Sequence, residues 1–222
     1  MGLAERLEVV QASIARAVVE AGRDSSEITT IVVTKFHPAS LVRELAALGV
    51  RDVGENRHQE ASAKAAELAD LDLHWHYIGQ LQSNKAKAVR RYASAVHSID
   101  RASVLPGLGS DTGSIDAFVQ VDLSGEPGRG GVAPEGLDAL IDAVLGARGI
   151  RLRGLMTVAP LGAEPRAAFA RLRELSGRVQ KQAPDATSLS MGMSGDYREA
   201  ILEGATHLRI GTAITGNRLP HP

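Results

Sequence analysis

Ile31-Val32-Val33-Thr34-Lys35-Phe36-His37-Pro38 is the stretch on which the reading of the fold turns. Three branched apolar residues in a row form a buried strand, and Pro38 soon ends it because proline has no N–H for a ladder. Lys35 then stands at the C-terminal end of that strand with apolar walls behind it. Partial desolvation there disfavours the ammonium form, so the residue can present a neutral nucleophilic amine. Schiff-base chemistry with an aldehyde needs such an amine. A snorkelling lysine, its stem laid over apolar surface, has the same local sequence.

The same texture recurs along the chain. Strands are expected at residues 29–35, 50–55, 74–79, 95–99, 117–123, 151–157, 187–191 and 207–211. Helical periodicity fills the intervals at 38–48, 58–69, 83–92, 102–108, 134–145, 165–182 and 196–203. Ahead of them Leu3, Leu7, Val10, Ile14 and Val18 form one apolar stripe, a helix of about 3–21 closed by Gly22. Strands alternating with helices imply a parallel sheet with right-handed crossovers. Eight such units in 222 residues predict a single (β/α)8 TIM barrel with an extra N-terminal helix. One domain then spans 1–222, with no C-terminal β-domain. A doubly wound open sheet is the alternative.

Composition narrows the function. Hydrophobic residues make up 44% and charged residues 23%, a globular balance that supports a core without staples. The net charge is −1, and no basic stripe with interleaved aromatics marks a nucleic-acid footprint. There is no cysteine, which removes disulfides, thiolate metal sites and cysteine nucleophiles. Glu5, Arg6 and Glu8 interrupt any signal-peptide core, and no apolar run approaches a membrane span. Arg6 also stands where a myristoylation motif needs Ser or Thr. A soluble cytoplasmic protein is expected, without membrane partners.

In a TIM barrel the active site gathers at the C-terminal ends of the strands. Those ends carry Lys35, Glu55-Asn56, Gly79 with Gln82-Ser83-Asn84, Asp100-Arg101, Asp122, Met156, Met191-Gly192-Met193-Ser194 and Arg209 with Gly211-Thr212. The loops after strands seven and eight are the usual phosphate site of this fold. Ser190 to Asp196 is rich in small residues and precedes a helix, so main-chain N–H groups and the Ser194 hydroxyl can meet an anion. Arg209-Ile210-Gly211-Thr212 adds more N–H groups and a second hydroxyl. A serine N-cap on a tight turn would look alike. A lysine amine with a phosphate cradle calls for a ligand bearing an aldehyde and a phosphate. Pyridoxal 5′-phosphate fits, and so does a phosphorylated sugar in a Schiff-base aldolase.

Longer motifs connect these points. Trp75-His76-Tyr77-Ile78-Gly79-Gln80-Leu81-Gln82-Ser83-Asn84-Lys85 resembles the signature of the pyridoxal phosphate homeostasis proteins, small barrels related to the N-terminal domain of alanine racemase. Val33-Thr34-Lys35 with Pro38, Gly54-Glu55-Asn56 with Gln59-Glu60, and His97-Ser98-Ile99-Asp100-Arg101 are similar too. So are Leu152-Arg153-Gly154-Leu155-Met156, Leu189 to Ser194, and Arg209 to Ile214. The set runs in order over nearly the whole chain. The departures are Phe36-His37, mild variation at Tyr77 and Gln80, and the glycine-rich loop at 128–131.

The resemblance implies that Lys35 holds pyridoxal phosphate as a Schiff base. It implies that Ser194, Gly211 and Thr212 hold the phosphate and that Arg209 faces the pyridine nitrogen. Asn56 would then lie beside the ring and Met191 would line the pocket. An arginine there keeps the nitrogen unprotonated and weakens the ring as an electron sink. The expected function is a monomeric, non-catalytic carrier in vitamin B6 homeostasis, with PLP-dependent apo-enzymes as possible recipients. The alternatives are a PLP-dependent amino-acid racemase or decarboxylase, and a Schiff-base aldolase. Racemisation needs a proton donor on each face of the substrate carbon, and Tyr77, Tyr92 and Tyr197 offer no obvious second partner for Lys35.

The remaining polar residues are read as structural. His74 and His76 share one face of a strand but lack a third ligand for a metal. His76 is expected to hydrogen-bond near the top of the barrel, and Trp75 to pack on the opposite face. Asp100 and Arg101 pair or cap. Glu55 and Asp122 are weak candidates for general bases. Arg166, Arg171, Arg173 and Arg178 form a solvated face. A G-x-G-x-x-A match starting at Gly128 runs into Pro134 and lacks the acidic residue that binds ribose, so a dinucleotide fingerprint is rejected.

Overall fold

The computed structural model describes residues 1–126, 129–160 and 162–216. The expected tail at 217–222 and the start of the glycine-rich stretch at Gly128 lie outside the described residues. The strands are β1 (Thr29–Val33), β2 (Asp52–Glu55), β3 (His74–Tyr77), β4 (Ala95–Ile99), β5 (Ile115–Gln120), β6 (Ile150–Met156), β7 (Ser188–Ser190) and β8 (His207–Ile210). Each pairs in parallel with the next, and β8 closes on β1, with Thr29 opposite His207. The expected closed barrel is therefore the fold, and the open-sheet alternative is overturned.

Helices follow the strands on the outside: α2 (Ala39–Ala47), α3 (His58–Glu67), α4 (Ser83–Val89), α5 (Leu105–Leu108), α6 (Leu137–Leu145), α7 (Pro165–Val179), α8 (Tyr197–Leu202) and α9 (Thr212–Thr215). The N-terminal helix α1 (Leu3–Glu20) buries its predicted stripe. It lies against α8 and α9, where Arg6 Nε donates to the Ile214 carbonyl at 2.6 Å. The main core sits between the outer face of the sheet and this helical layer, as Val32, Val53, Val96 and Leu189 pack with Leu45, Ile141 and Leu172. Each fully buried aliphatic side chain there contributes roughly 1.5–3 kcal/mol. No helix among the described residues is long and apolar enough to cross a membrane.

Several strands are shorter than the pattern predicts. β1 stops at Val33, not at 35, because the chain turns at Lys35 and Phe36, where the His37 N–H donates back to the Thr34 carbonyl at 3.1 Å. The alternation nevertheless carries Ile31, Val33 and Lys35 onto one side. Gly54 shares that side: a Cβ on it would meet Ile31 Cγ2 at 3.0 Å, so glycine leaves room inside the barrel. β6 carries a register shift opposite Ala117 and Phe118. There Gly154 has φ +154°, and a Cβ would lie 1.8 Å from the Ser188 carbonyl oxygen, so only glycine lets β6 and β7 meet.

The barrel interior is less aliphatic than is usual for this fold. His97 stacks on Phe118 with ring centroids 4.3 Å apart, and Phe118 meets His207 edge-on at 4.9 Å.

Candidate functional site

A cavity of about 410 Å³ opens at the C-terminal ends of the strands. Six of the seven residues singled out above line it: Lys35, Asn56, Ser194, Arg209, Gly211 and Thr212. The seventh does not. Met191 is fully buried in the core, and its N–H is taken by the His207 carbonyl at 3.1 Å. The chain turns there, so Met193 reaches the cavity in its place, with Met156 from β6. A second groove, of about 510 Å³, runs beside α5 and α6, away from the strand ends, and gathers no comparable set of polar groups.

The turn that carries Lys35 is held from α3. Phe36 has φ +67°, the one non-glycine residue with positive φ among those described. Its N–H donates to Glu60 Oε1 at 2.6 Å, and the Arg57 guanidinium lies 4.8 Å from its ring centre. Lys64 Nζ donates to the Thr34 carbonyl at 2.9 Å, to Glu55 Oε1 at 2.7 Å and to Glu60 Oε1 at 2.7 Å. Thr34 Oγ1 also donates to Glu55 Oε1 at 2.6 Å. Burial pushes the Glu55 carboxyl above the usual carboxylate range, against the pull of Lys64 and Thr34. Glu55 thus faces outward beneath α3, only 1% exposed. It is a structural anchor and does not fit the role of general base at the cavity.

On the opposite wall, Ser194 Oγ accepts from the Ala213 N–H at 3.4 Å and so joins the turns after β7 and β8. Asp196 does not cap α8; its carboxylate accepts from the Met193 N–H at 2.5 Å and shapes the turn itself. Arg209 is 4% exposed and donates to Ser190 Oγ at 2.7 Å and to the Thr157 carbonyl at 2.8 Å. Burial lowers its guanidinium to about 10, which leaves it charged at neutral pH. Asn56 Oδ1 is buried without a hydrogen-bond partner.

This chemistry suits a phosphorylated aldehyde. An amine stands on one wall, hydroxyls and small residues on the other, with a buried cation and an unused acceptor between them. Comparison with known proteins agrees. Residues 13–219 match the family model described as the alanine racemase N-terminal domain. The pyridoxal phosphate homeostasis protein of Pseudomonas aeruginosa is 45% identical over 97% of this chain and 96% of its own length. That of Mycobacterium leprae is 39% identical over 99% and 95%. The chain belongs to the pyridoxal phosphate homeostasis protein family.

Solved structures place this family member's fold. PipY of Synechococcus elongatus, in the structure described as having PLP bound, superposes with a TM-score of 0.84 and 38% identity over 97% of this chain and all of that one. Alanine racemase from Corynebacterium glutamicum shares the fold alone, with a TM-score of 0.69 and 17% identity over 95% of this chain and 63% of that one.

Other features of this homeostasis-family protein sort as follows. Asp100 and Arg101 pair at 2.6 Å, and Arg101 also donates to the Leu81 carbonyl at 2.5 Å, a structural role as expected. Asp122 accepts from the Ser124 N–H and Oγ and stands outside the Lys35 cavity. Arg166 and Arg173 do more than form a solvated face, since both clamp the buried carboxylate of Glu203. No group of three metal-ligating side chains occurs among the described residues. His76 is not at the top of the barrel: its partners are Asp52, at the N-terminal end of β2, and His97. Sequence reasoning missed Lys64. The only signal for it was the i, i+4 spacing of Glu60 and Lys64, which more often marks a surface pair.

Proposed function

We propose that this protein binds pyridoxal 5′-phosphate at the mouth of the barrel and holds it for reversible release, as a carrier within the homeostasis for which its family is named. When bound, the cofactor supplies an aldehyde that condenses reversibly with an amine. Lys35 Nζ is that amine, fixed by a turn that Lys64 and Glu60 hold from behind. Ser194, Gly211 and Thr212 receive the phosphate. Arg209 is the donor available to the ring nitrogen, and Asn56 offers its unused carbonyl to the ring substituents.

The observation that carries the proposal is the convergence of Lys35, Arg209 and the joined Ser194 and Thr212 turns on one cavity. Carriage is favoured over turnover by the make-up of the lining. Its titratable groups among the described residues are Lys35 and Arg209. Racemisation asks for an acid–base group on each face of the reacting carbon. A charged arginine at the ring nitrogen also leaves the ring a poor electron sink. PLP-dependent apo-enzymes are the expected recipients.

Mixing the pure protein with pyridoxal phosphate tests this. A new visible absorbance is expected, and borohydride followed by peptide mapping should fix the adduct to Lys35. An equal signal in Lys35→Ala would overturn the site. Multiple turnovers of any D- or L-amino acid, dependent on Lys35, would overturn the carrier reading.

A further inference from the structure

A line of hydrogen bonds crosses the barrel interior from Arg209 to the opposite rim. Arg209 Nη1 lies 2.7 Å from Ser190 Oγ, and Ser190 Oγ lies 2.8 Å from His97 Nδ1. His97 Nε2 lies 2.9 Å from His76 Nδ1, and His76 Nε2 lies 2.9 Å from Asp52 Oδ1. The line runs through β8, β7, β4, β3 and β2. Ser190 and His97 are fully buried, His76 is 6% exposed, and the Asp52 side chain is 27% exposed at the N-terminal end of its strand.

The two ends have fixed polarity. A guanidinium only donates, and an ionised carboxylate only accepts. Although burial alone would raise it, hydrogen bonds and charge from His76 and His74 hold the Asp52 carboxyl below the usual range. Burial above all, and after it the nearby cationic groups, holds the His97 imidazole well below its usual range. Wherever both rings are neutral, only one arrangement satisfies every member. Arg209 donates to Ser190, and the single Ser190 proton goes to His97 Nδ1. His97 Nε2–H then donates to His76 Nδ1, and His76 Nε2–H to Asp52. Bonds aligned in this way polarise one another.

Arg209 is buried, and the carboxylate whose charge favours its cationic form, Asp196, stands beyond ion-pair distance. Stability alone does not explain the line, because well-packed apolar side chains fill such an interior at least as favourably.

We propose that Asp52, His76, His97 and Ser190 are positioning residues for Arg209, which carry the countercharge of Asp52 across the barrel and fix the guanidinium at the cofactor cavity. The effect on cofactor rests on the reading of that cavity as a pyridoxal phosphate site; the proton arrangement does not.

The test uses the whole chain with 15N-labelled histidine, first without cofactor, at about pH 8, above the ordinary histidine range. His76 and His97 should both carry the proton on Nε2. A proton on His97 Nδ1 would overturn the arrangement. Asp52→Ala should abolish the tautomer bias, raise the dissociation constant for pyridoxal phosphate about tenfold and shift the absorbance of the bound cofactor. Asp52→Asn, which keeps an acceptor and drops the charge, should shift the same readings in the same direction, and it serves if Asp52→Ala does not fold. Asp116→Ala is the matched control, a carboxylate with 25% side-chain exposure near the same end of β5, and should leave all three unchanged. Wild-type affinity and absorbance in both Asp52 variants would overturn the positioning role. A wild-type protein that binds no pyridoxal phosphate would instead overturn the cavity reading, and the tautomers would still be read.

Discussion

Lys64 Nζ donates to the main-chain carbonyl of Thr34 at 2.9 Å, one residue before Lys35. The same ammonium compensates Glu55, whose Oε1 lies 2.7 Å away in a side chain 1% exposed. Lys64→Met would strand a buried carboxyl and is expected to cost about 3–5 kcal/mol of folding stability. Adding Glu55→Leu should recover much of that loss, since apolar pairs replace buried ion pairs well. Urea unfolding of the two variants decides the matter. A Lys64→Met protein as stable as the wild type would show that the pair is not a support.

Stability should fall in mild acid. Burial pushes the His207 imidazole from 6.5 down to about 4. Between those values the unfolded chain takes a proton that the folded barrel refuses. The contribution is therefore complete above the unfolded pKa and is lost as pH drops towards 4, by about 3 kcal/mol for this residue. His97, held well below its usual value by burial, acts in the same direction. Denaturation midpoints measured from pH 8 to pH 4.5 should trace this decline, and His207→Gln should flatten it. An unaltered slope in that variant would assign the acid sensitivity elsewhere.

Ser194 lines the cavity, and on the proposed reading it meets the cofactor's phosphate. Loss of one hydrogen bond to an anion weakens binding about tenfold or more. Ser194→Ala should therefore lose that much affinity for pyridoxal phosphate while binding pyridoxal, which lacks the phosphate, as the wild type does. Equal losses for both ligands would mean that the serine only braces Ala213, whose N–H it accepts at 3.4 Å.

The strand and helix periods were plain in the chain, and so were the residues at the cavity mouth, because both depend on local pattern. Lys35 could be placed from three branched neighbours and a proline. Met191 and Met193 could not be told apart, since the turn after β7 decides which of them faces inward. The Asp52, His76 and His97 series was invisible for another reason. Its members lie 21 to 24 positions apart along the chain and meet only when the sheet closes. A histidine inside an apolar strand looks the same whether it packs alone or is hydrogen-bonded at both nitrogens.

The polar seam along the barrel axis also limits how this protein can be re-engineered. Thermostabilising designs commonly swap interior histidine and serine for leucine or valine. Here such a swap at position 97 or 190 would leave the groups on either side of it buried without their partners, so melting temperature and cofactor retention should fall together.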